Sequence, residues 1–293
     1  MLGRKTTGSV VCAACGSLVG VNDDKCYSCG RANPGMWGFA PLLRQFGNDL
    51  GFVPFVMGAS AVMFVLSLLL SGGIQGGGLN LLSVSSYALR ALGASGAGPV
   101  FDEGHWWTVL SATWLHAGLL HILFNMMSLR NIGTDTVHII GPGRTVIIYV
   151  VAGVCGFLLS SAMGAAVPII ALLPLPIFIL RLLVGAQLTV GASASIFGLL
   201  GALVHYGRKS GSSLIHGQAK QWAIIMFVYG LIMPGIDNWA HAGGFIGGYL
   251  TSAFFNPLTR ERGDHILVAL LCLVASFAAV LASVVLNWST LAM

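Results

Sequence analysis

The chain has 293 residues, of which 56% are hydrophobic and only 8% are charged, and its formal net charge is +5. Soluble domains carry about 25% charged residues, so this composition excludes a water-soluble globular protein. Most of the chain must lie in a bilayer, where one helical span needs about 20 apolar residues. We therefore expect an all-α polytopic membrane protein.

Residues 1–35 are predicted to form a separate cytosolic unit with two C-x-x-C-G motifs, which contain Cys12, Cys15, Cys26 and Cys29. The glycine after each pair permits a tight backbone turn toward the sulfur atoms. Four thiolates at this spacing are typical of a tetrahedral structural zinc site, which a unit this small needs in order to fold. Two disulfides are the alternative, but a reducing cytosol disfavours them. We expect a zinc-ribbon-like unit with a closed, non-catalytic site, and a cytosolic partner is one hypothesis for its role.

Residues 36–51 follow as a linker whose aromatic residues suit the membrane interface. The remaining sequence predicts seven spans: Val53–Leu70, Leu115–Asn131, Val146–Met163, Ser193–Tyr206, Trp222–Met233, Asn238–Phe255 and His265–Leu286. The fourth to sixth are short and contain Gly, Ser or His, which predicts burial against other helices and not contact with lipid. The proline-broken segment at 165–190 is either re-entrant or interfacial.

The basic residues fall mainly on one side of this map. With a cytosolic N-terminus, twelve of the fourteen Lys and Arg residues lie inside, and only Arg90 and Arg181 lie outside. Cytosolic loops of membrane proteins are enriched in Lys and Arg. The sequence therefore predicts a multi-pass protein of the cell membrane with its N-terminus in the cytosol and its C-terminus outside.

Three motifs place polar residues at or inside predicted spans, and the first is Gly191-Ala192-Ser193 at the start of the fourth. Backbone N–H groups at a helix start have no partner within the helix, and the helix dipole favours negative charge there. A nucleophilic Ser193 would therefore have part of an oxyanion hole beside it. Taken alone, a small residue in a span is more often a packing residue.

The second motif contains His241 in the sixth span, followed by small-xxx-small glycine pairs at 243–248. A histidine inside a span is energetically costly and indicates function. The glycines allow a close approach to the Ser193 span, which would bring His241 within hydrogen-bond reach of the serine as a general base. The alternative is a histidine that is only hydrogen-bonded inside the bundle.

The third motif places His121 and Asn125 on one face of the second span, four residues apart. Both side chains donate hydrogen bonds and suit the stabilisation of an oxyanion in a dry site. A metal site of His116 and His121 is the alternative. Their separation would put them about 140° apart around a helix, which makes joint ligation awkward. No H-E-x-x-H motif supports an embedded zinc protease.

The patterns H-x4-H-x3-N, G-x-S-x and A-H-x2-G-x3-G, in this order, resemble the rhomboid family of intramembrane serine proteases over roughly residues 102–255. The resemblance implies a six-helix core at 52–256, an additional C-terminal transmembrane helix at 257–293, and a Ser–His dyad without a catalytic cofactor. Ser193 would be the nucleophile and His241 the base. His121 and Asn125 would assist the oxyanion hole, and Phe197 would pack against the catalytic imidazole.

One departure from the family is the pair Trp107-Thr108, where relatives often have Trp-Arg in the loop before the first motif. It puts the rigidity of that loop in question. The implied reaction is the cleavage of transmembrane segments of other membrane proteins, which would enter past the fifth span. Two alternatives are a catalytically silent pseudoprotease that binds membrane clients and a transporter. The absence of charged residues within the core spans, apart from boundary positions such as Arg130, disfavours a transporter. The topology accounts for the basic charge, so no nucleic-acid partner is expected.

Overall fold

The computed structural model describes residues 4–12, 16–41, 51–72, 81–170, 172, 176, 183–233, 235–259 and 261–287. It has an all-α polytopic membrane fold preceded by a small β unit. The strands are β1 (Ser9–Val11) and β2 (Leu18–Gly20), and the α-helices described with labels are α1 (Phe52–Leu70), α2 (Ser86–Leu92), α3 (Thr108–Ser111), α4 (Leu119–Ser128), α5 (Thr134–Ile140), α6 (Pro142–Ala165), α7 (Ser193–Ser210), α8 (Ser213–Ile232), α9 (Asn238–Phe255) and α10 (Gly263–Leu286). Shorter helical turns lie at Met36–Gly38, Gly98–Asp102, Ala112–Trp114, Leu129–Gly133 and Val167–Ile170.

Three of the described helices, α1, α6 and α10, are long and apolar enough to cross a bilayer. A fourth candidate span is the bent pair Thr108–Trp114 and Leu119–Ile140, whose two parts meet at 92°. Helices α7, α8 and α9 are less apolar, because they contain glycine, serine, histidine and, in two cases, basic residues. These helices identify the chain as a multi-pass membrane protein.

The centre of the bundle consists of α6, α7 and α9, which pack without intervening side chains at several glycines. A Cβ atom placed on Gly244 of α9 would lie 2.0 Å from the carbonyl oxygen of Ala194, and one on Gly248 would lie 2.0 Å from that of Gly198. A Cβ atom on Gly198 would lie 2.0 Å from the Cβ atom of Ala152 in α6. The predicted close approach of the Ser193 and His241 helices is therefore confirmed, and only glycine permits it at these positions.

Two predictions about the spans are wrong. Helix α8, which contains the predicted fifth span, is mostly exposed and buries only Ala219 and Gly230 among its described residues. Many of its apolar side chains, among them Trp222, Ile225 and Ile232, are exposed, so the helix is not enclosed by its neighbours in the described residues. The predicted second span is not one straight helix from Leu115. Helix α4 begins at Leu119, and a wider helical turn joins it to α5.

The loop between α9 and α10 is joined to the start of α6 by polar contacts. The Glu261 carboxylate accepts a hydrogen bond from the backbone N–H of Arg144 at 2.7 Å, and the Arg144 side chain donates to the carbonyl oxygen of Thr259 at 2.6 Å and to His265 at 3.1 Å. Burial raises the pKa of Glu261, while the N–H of Arg144 and the charges of Arg31 and Arg144 act in the opposite direction.

Candidate active site and metal centre

The start of α7 and the start of α9 lie together at one end of the bundle. Ser193 is the first residue of α7, and His241 lies in the first turn of α9. Asp237 caps α9, because its carboxylate accepts a hydrogen bond from the backbone N–H of Ala240 at 3.0 Å. An Asp at this position satisfies one of the unpaired N–H groups of the first turn and fixes where α9 begins.

Ser193 and His241 form a direct pair. The Ser193 Oγ atom lies 2.9 Å from the His241 Nε2 atom, which is within hydrogen-bonding distance. The imidazole stacks on the Phe197 ring with a centroid distance of 4.2 Å and an interplanar angle of 15°. Among the described residues, the His241 Nδ1 atom has no hydrogen-bond partner. The pair is therefore a dyad in this structure.

Ser195, the other serine of the motif, points elsewhere. It is fully buried, whereas Ser193 is partly exposed. A Cβ atom on Gly153 of α6 would lie 2.6 Å from the Ser195 Oγ atom and 2.7 Å from the Thr113 Oγ1 atom, so Ser195 faces α6. The geometry thus separates the two serines, as the motif position predicts.

Gly191 allows His121 to lie beside Ser193. Its φ of 129° is in the range that favours glycine, and a Cβ atom there would lie 2.6 Å from the His121 Nε2 atom. The backbone N–H of Ala117 donates to the His121 Nδ1 atom at 3.3 Å. An accepting Nδ1 places the proton of a neutral imidazole on Nε2. A donor N–H of His121 therefore faces the backbone just before Ser193.

Asn125 and His116 complete this corner of the bundle. The Asn125 side chain is buried and donates to the carbonyl oxygen of His121 at 2.8 Å. His116 lies before the start of α4, and its ring contacts the His121 ring edge-on at a centroid distance of 5.2 Å. The argument that a helix separates the two histidines by 140° is therefore wrong, because only His121 is on the helix. The two imidazole rings lie close together because the loop before α4 folds back and places His116 over the start of the helix.

A second polar chain behind the dyad was not predicted from the sequence. The Ser160 hydroxyl of α6 donates a hydrogen bond to the Asp237 carboxylate at 2.6 Å. The Ser160 Oγ atom also accepts a hydrogen bond from the backbone N–H of Ala186 at 3.1 Å. These bonds connect the cap of the His241 helix to the segment that leads to Ser193. The N-cap position of Asp237 was a readable signal, whereas nothing in the sequence distinguishes Ser160 from other small residues of its span.

The N-terminal unit brings three of the four predicted zinc ligands together. The sulfur atoms of Cys12, Cys26 and Cys29 are buried and lie within 4.8 Å of one another, and Cys15 lies outside the described residues. The Cys12 and Cys29 sulfur atoms are 3.7 Å apart. Two thiolates bound tetrahedrally at about 2.3 Å from zinc would be separated by about 3.8 Å. The donor set and spacing fit zinc, with these thiolates as ligands.

The glycines of the two motifs shape this cluster. Gly16 and Gly30 have φ values of 79° and 69°, and their N–H groups bond back to the carbonyl oxygens of Cys12 and Cys26 at 3.1 and 2.6 Å. Gly16 and Gly30 therefore have similar backbone conformations, and each bonds back to the first cysteine of its motif.

The fold and the site together define a membrane helix bundle with a serine–histidine pair near one end. A sequence model of the Rhomboid domain matches residues 103–258, which is more than half of the chain. The chain belongs to the Rhomboid family. This match agrees with the region of resemblance, residues 102–255.

Several curated proteins are similar to the chain. It is 29% identical to "Rhomboid protease GluP" of Bacillus subtilis (strain 168) over 193 residues, which cover 64% of this chain and 34% of that protein. It is 34% identical to "RHOMBOID-like protein 7" of Arabidopsis thaliana over 180 residues, which cover 58% and 49%. It is 26% identical to "Inactive RHOMBOID-like protein 8" of the same plant over 188 residues, which cover 62% and 48%. The chain thus spans about half or less of the length of these relatives, and they include a protease and an inactive protein.

Proposed function

We propose that this protein is an intramembrane serine endopeptidase that cleaves transmembrane segments of other membrane proteins. The observation that carries this proposal is the 2.9 Å contact between the Ser193 Oγ atom and the His241 Nε2 atom. A nucleophile within hydrogen-bond reach of a general base is the requirement for acyl-enzyme catalysis. Ser193 is not fully buried, unlike Ser195, as a nucleophile that must meet a substrate requires.

In the proposed reaction the Ser193 Oγ atom attacks the carbonyl carbon of the scissile amide while His241 Nε2 accepts the hydroxyl proton. The carbonyl oxygen becomes an oxyanion beside the first turn of α7, where the Ser193 N–H and the His121 Nε2–H point, with Asn125 next to them. His241 then donates its proton to the leaving amine and the C–N bond breaks. Water attacks the resulting serine ester with His241 as base, which releases the acid and restores Ser193.

The stacking of Phe197 on His241 supports this assignment, because it holds the ring plane and keeps the Nε2 atom directed at Ser193. No cofactor takes part in the reaction. The proposed zinc is structural: it would be held by Cys12, Cys15, Cys26 and Cys29, and a site closed by four thiolates has no open position. The unit it stabilises is proposed to face the cytosol, where it can dock a partner.

The proposed topology places the N-terminus in the cytosol and the C-terminus outside, with the dyad near the outer face. The distribution of basic residues supports it. Water would reach the dyad from outside. The substrate helix would enter beside the exposed helix α8 and must unwind near the outer boundary, since a helical amide is shielded by its own hydrogen bonds.

Cleavage of a reporter transmembrane segment in liposomes tests this function with the wild type, Ser193→Ala, His241→Ala and Ser195→Ala. We expect cleavage by the wild type and by Ser195→Ala, and none by the other two variants. Equal cleavage by all four proteins would mean a contaminant or another chemistry. If no protein cleaves while the wild type still binds the reporter segment, the protein is a pseudoprotease, and the proposed function is wrong.

A further inference from the structure

The outer segment, defined here as residues 86–114, holds the backbone that leads to Ser193. Ser95 and Thr189 exchange two backbone hydrogen bonds, at 3.0 and 2.7 Å. The N–H of Ala97 donates to the carbonyl oxygen of Ala186 at 3.0 Å. The N–H of Gly191 donates to the carbonyl oxygen of Ala112 at 3.0 Å. Any shift of the outer segment is therefore transmitted to the two residues before the serine.

Within this segment, Trp107 and Thr108 make different kinds of contact. Thr108 is buried, and its hydroxyl donates to the carbonyl oxygen of His105 at 2.8 Å and lies 3.5 Å from the Ser95 Oγ atom. All three residues belong to the outer segment. The hydroxyl of Thr108 therefore makes its hydrogen bonds within the outer segment, and contacts between this segment and the helix bundle come from other residues.

Helix α10 supplies that anchor. The indole N–H of Trp107 donates to the Ser283 Oγ atom at 3.0 Å, although the two residues are 176 positions apart. Ser283 in turn donates to the carbonyl oxygen of Ala279 at 3.0 Å, so its hydroxyl is fixed from both sides. One helical turn and a half earlier, Phe277 stacks on Trp114 with a centroid distance of 4.6 Å and an interplanar angle of 30°.

The approach of α10 also depends on Gly93, the residue that ends α2. Its φ is 101°, and a Cβ atom there would lie 2.6 Å from the Ser283 Oγ atom and 2.4 Å from the Ser111 Oγ atom. Ser111 donates to the Gly93 carbonyl oxygen at 2.7 Å. The outer segment thus presents a recess into which the Ser283 hydroxyl fits.

We propose that α10, which lies beyond the matched Rhomboid domain, is a working part of the peptidase that braces the outer segment and so positions Ser193. Ser283 acts as a positioning residue through its hydrogen bond with the Trp107 indole N–H. This proposal rests on the proposed peptidase function. Its structural part, the bracing of residues 186–191, can be measured without catalysis.

The test compares Ser283→Ala with Ser276→Ala, a matched control on the same helix. Ser276 is equally buried and donates to the Cys272 carbonyl oxygen at 2.9 Å, within α10. Both variants lose one intrahelical hydroxyl bond, but only Ser283→Ala loses the bond to Trp107. We expect Ser283→Ala to lower kcat for the reporter by about 3- to 10-fold, the range for one lost hydrogen bond, with KM unchanged. Ser276→Ala should match the wild type.

A double variant identifies the route. If Ser283 acts through the indole N–H, Trp107→Phe combined with Ser283→Ala should lose no more kcat than the more damaging single variant. If the fold losses in kcat of the two single variants multiply in the double variant, Ser283 does not act through the indole N–H of Trp107. Equal kcat in Ser283→Ala and Ser276→Ala, with an active wild type, would overturn the proposal itself.

Hydrogen–deuterium exchange in detergent keeps the test independent of activity. We expect faster exchange at residues 186–191 in Ser283→Ala than in Ser276→Ala or the wild type. If exchange at residues 186–191 is the same in Ser283→Ala as in the wild type, α10 does not hold this segment in place and the proposal is wrong. A wild type that neither cleaves the reporter nor reacts with a serine-directed phosphonate refutes the peptidase function alone, because the exchange comparison still decides whether α10 braces the segment.

Discussion

The substitution Gly244→Ala tests whether backbone contact between α7 and α9 sets the geometry of the dyad. The new Cβ atom would lie 2.0 Å from the Ala194 carbonyl oxygen, whereas ordinary Cβ contacts begin near 3.4 Å. The two helices must therefore separate by more than 1 Å at a point three residues from His241. The Ser193–His241 distance of 2.9 Å would then exceed hydrogen-bonding range.

The expected magnitude follows from that displacement. A misplacement of about 1 Å in a catalytic group can lower the rate about 100-fold, while overpacking a well-packed core costs about 1–3 kcal/mol of stability. Gly244→Ala should therefore lose about 100-fold in kcat while the protein still folds. Reporter cleavage in liposomes and thermal unfolding in detergent measure the two effects separately.

Gly58→Ala in α1 is the matched control, since a Cβ atom there meets nothing within 4 Å. It should leave both cleavage and thermal unfolding close to the wild type. Wild-type kcat in Gly244→Ala would refute the reasoning, because it would mean that the helices can separate without moving the dyad. A loss of kcat in Gly58→Ala of similar size would show a general effect of glycine replacement.

Four further predictions concern the surroundings of the dyad, the N-terminal unit and the loop between α9 and α10. Asp237→Ala should destabilise the start of α9 by about 1 kcal/mol and lower kcat, as measured by thermal unfolding and reporter cleavage. Asp237→Asn keeps an oxygen that can cap the helix but loses the second oxygen, which accepts the Ser160 hydroxyl, so its losses should be smaller than those of Asp237→Ala. Phe197→Leu should lower kcat by about 3- to 10-fold with little change in KM, since one aromatic stacking contact is lost. Elemental analysis of the purified protein should find one zinc ion per chain and much less in Cys29→Ser, whereas an unchanged metal content would contradict the zinc assignment. Burial raises the pKa of Glu261 in the folded state above its unfolded value, so its contribution to stability is present at acidic pH and is lost as the pH rises through the folded-state pKa. The thermal unfolding midpoint of the wild type should therefore fall over this pH range, and Glu261→Gln should remove that fall.

The sequence was sufficient to predict which helices meet at the site. Ser193 opens a span and His241 lies beside paired glycines, and both features are local. The contact of Gly244 with Ala194 follows from them, because two surfaces without side chains pack closely in a membrane. Each of the seven predicted spans overlaps a helix. Among the described helices, α1, α6 and α10 were predictable from apolar length alone, which is also a local property.

The features that the sequence did not predict are contacts between distant residues. Ser160 and Asp237 are 77 positions apart, and each looks like an ordinary small or capping residue within its own segment. The exposure of α8 was mispredicted because composition reports which residues tolerate burial and says nothing of whether a neighbour covers them. His116 was assigned to a helix because the apolar run from Leu115 continues into α4, although the helix itself begins only at Leu119.

Membership of the family leaves activity open, since similarity extends to both a protease and an inactive relative. What favours activity in this chain is the agreement of two independent constraints on one pair of atoms. Backbone contact at Gly244 fixes His241 relative to α7, while the outer segment fixes the backbone before Ser193 through Gly191. Neither contact includes the side chains of Ser193 and His241, so a random bundle would have no reason to satisfy both and still leave 2.9 Å between Oγ and Nε2. An inactive member could lose its function at either constraint while keeping the serine and the histidine, which is why the glycine and α10 variants are as informative as those of the dyad.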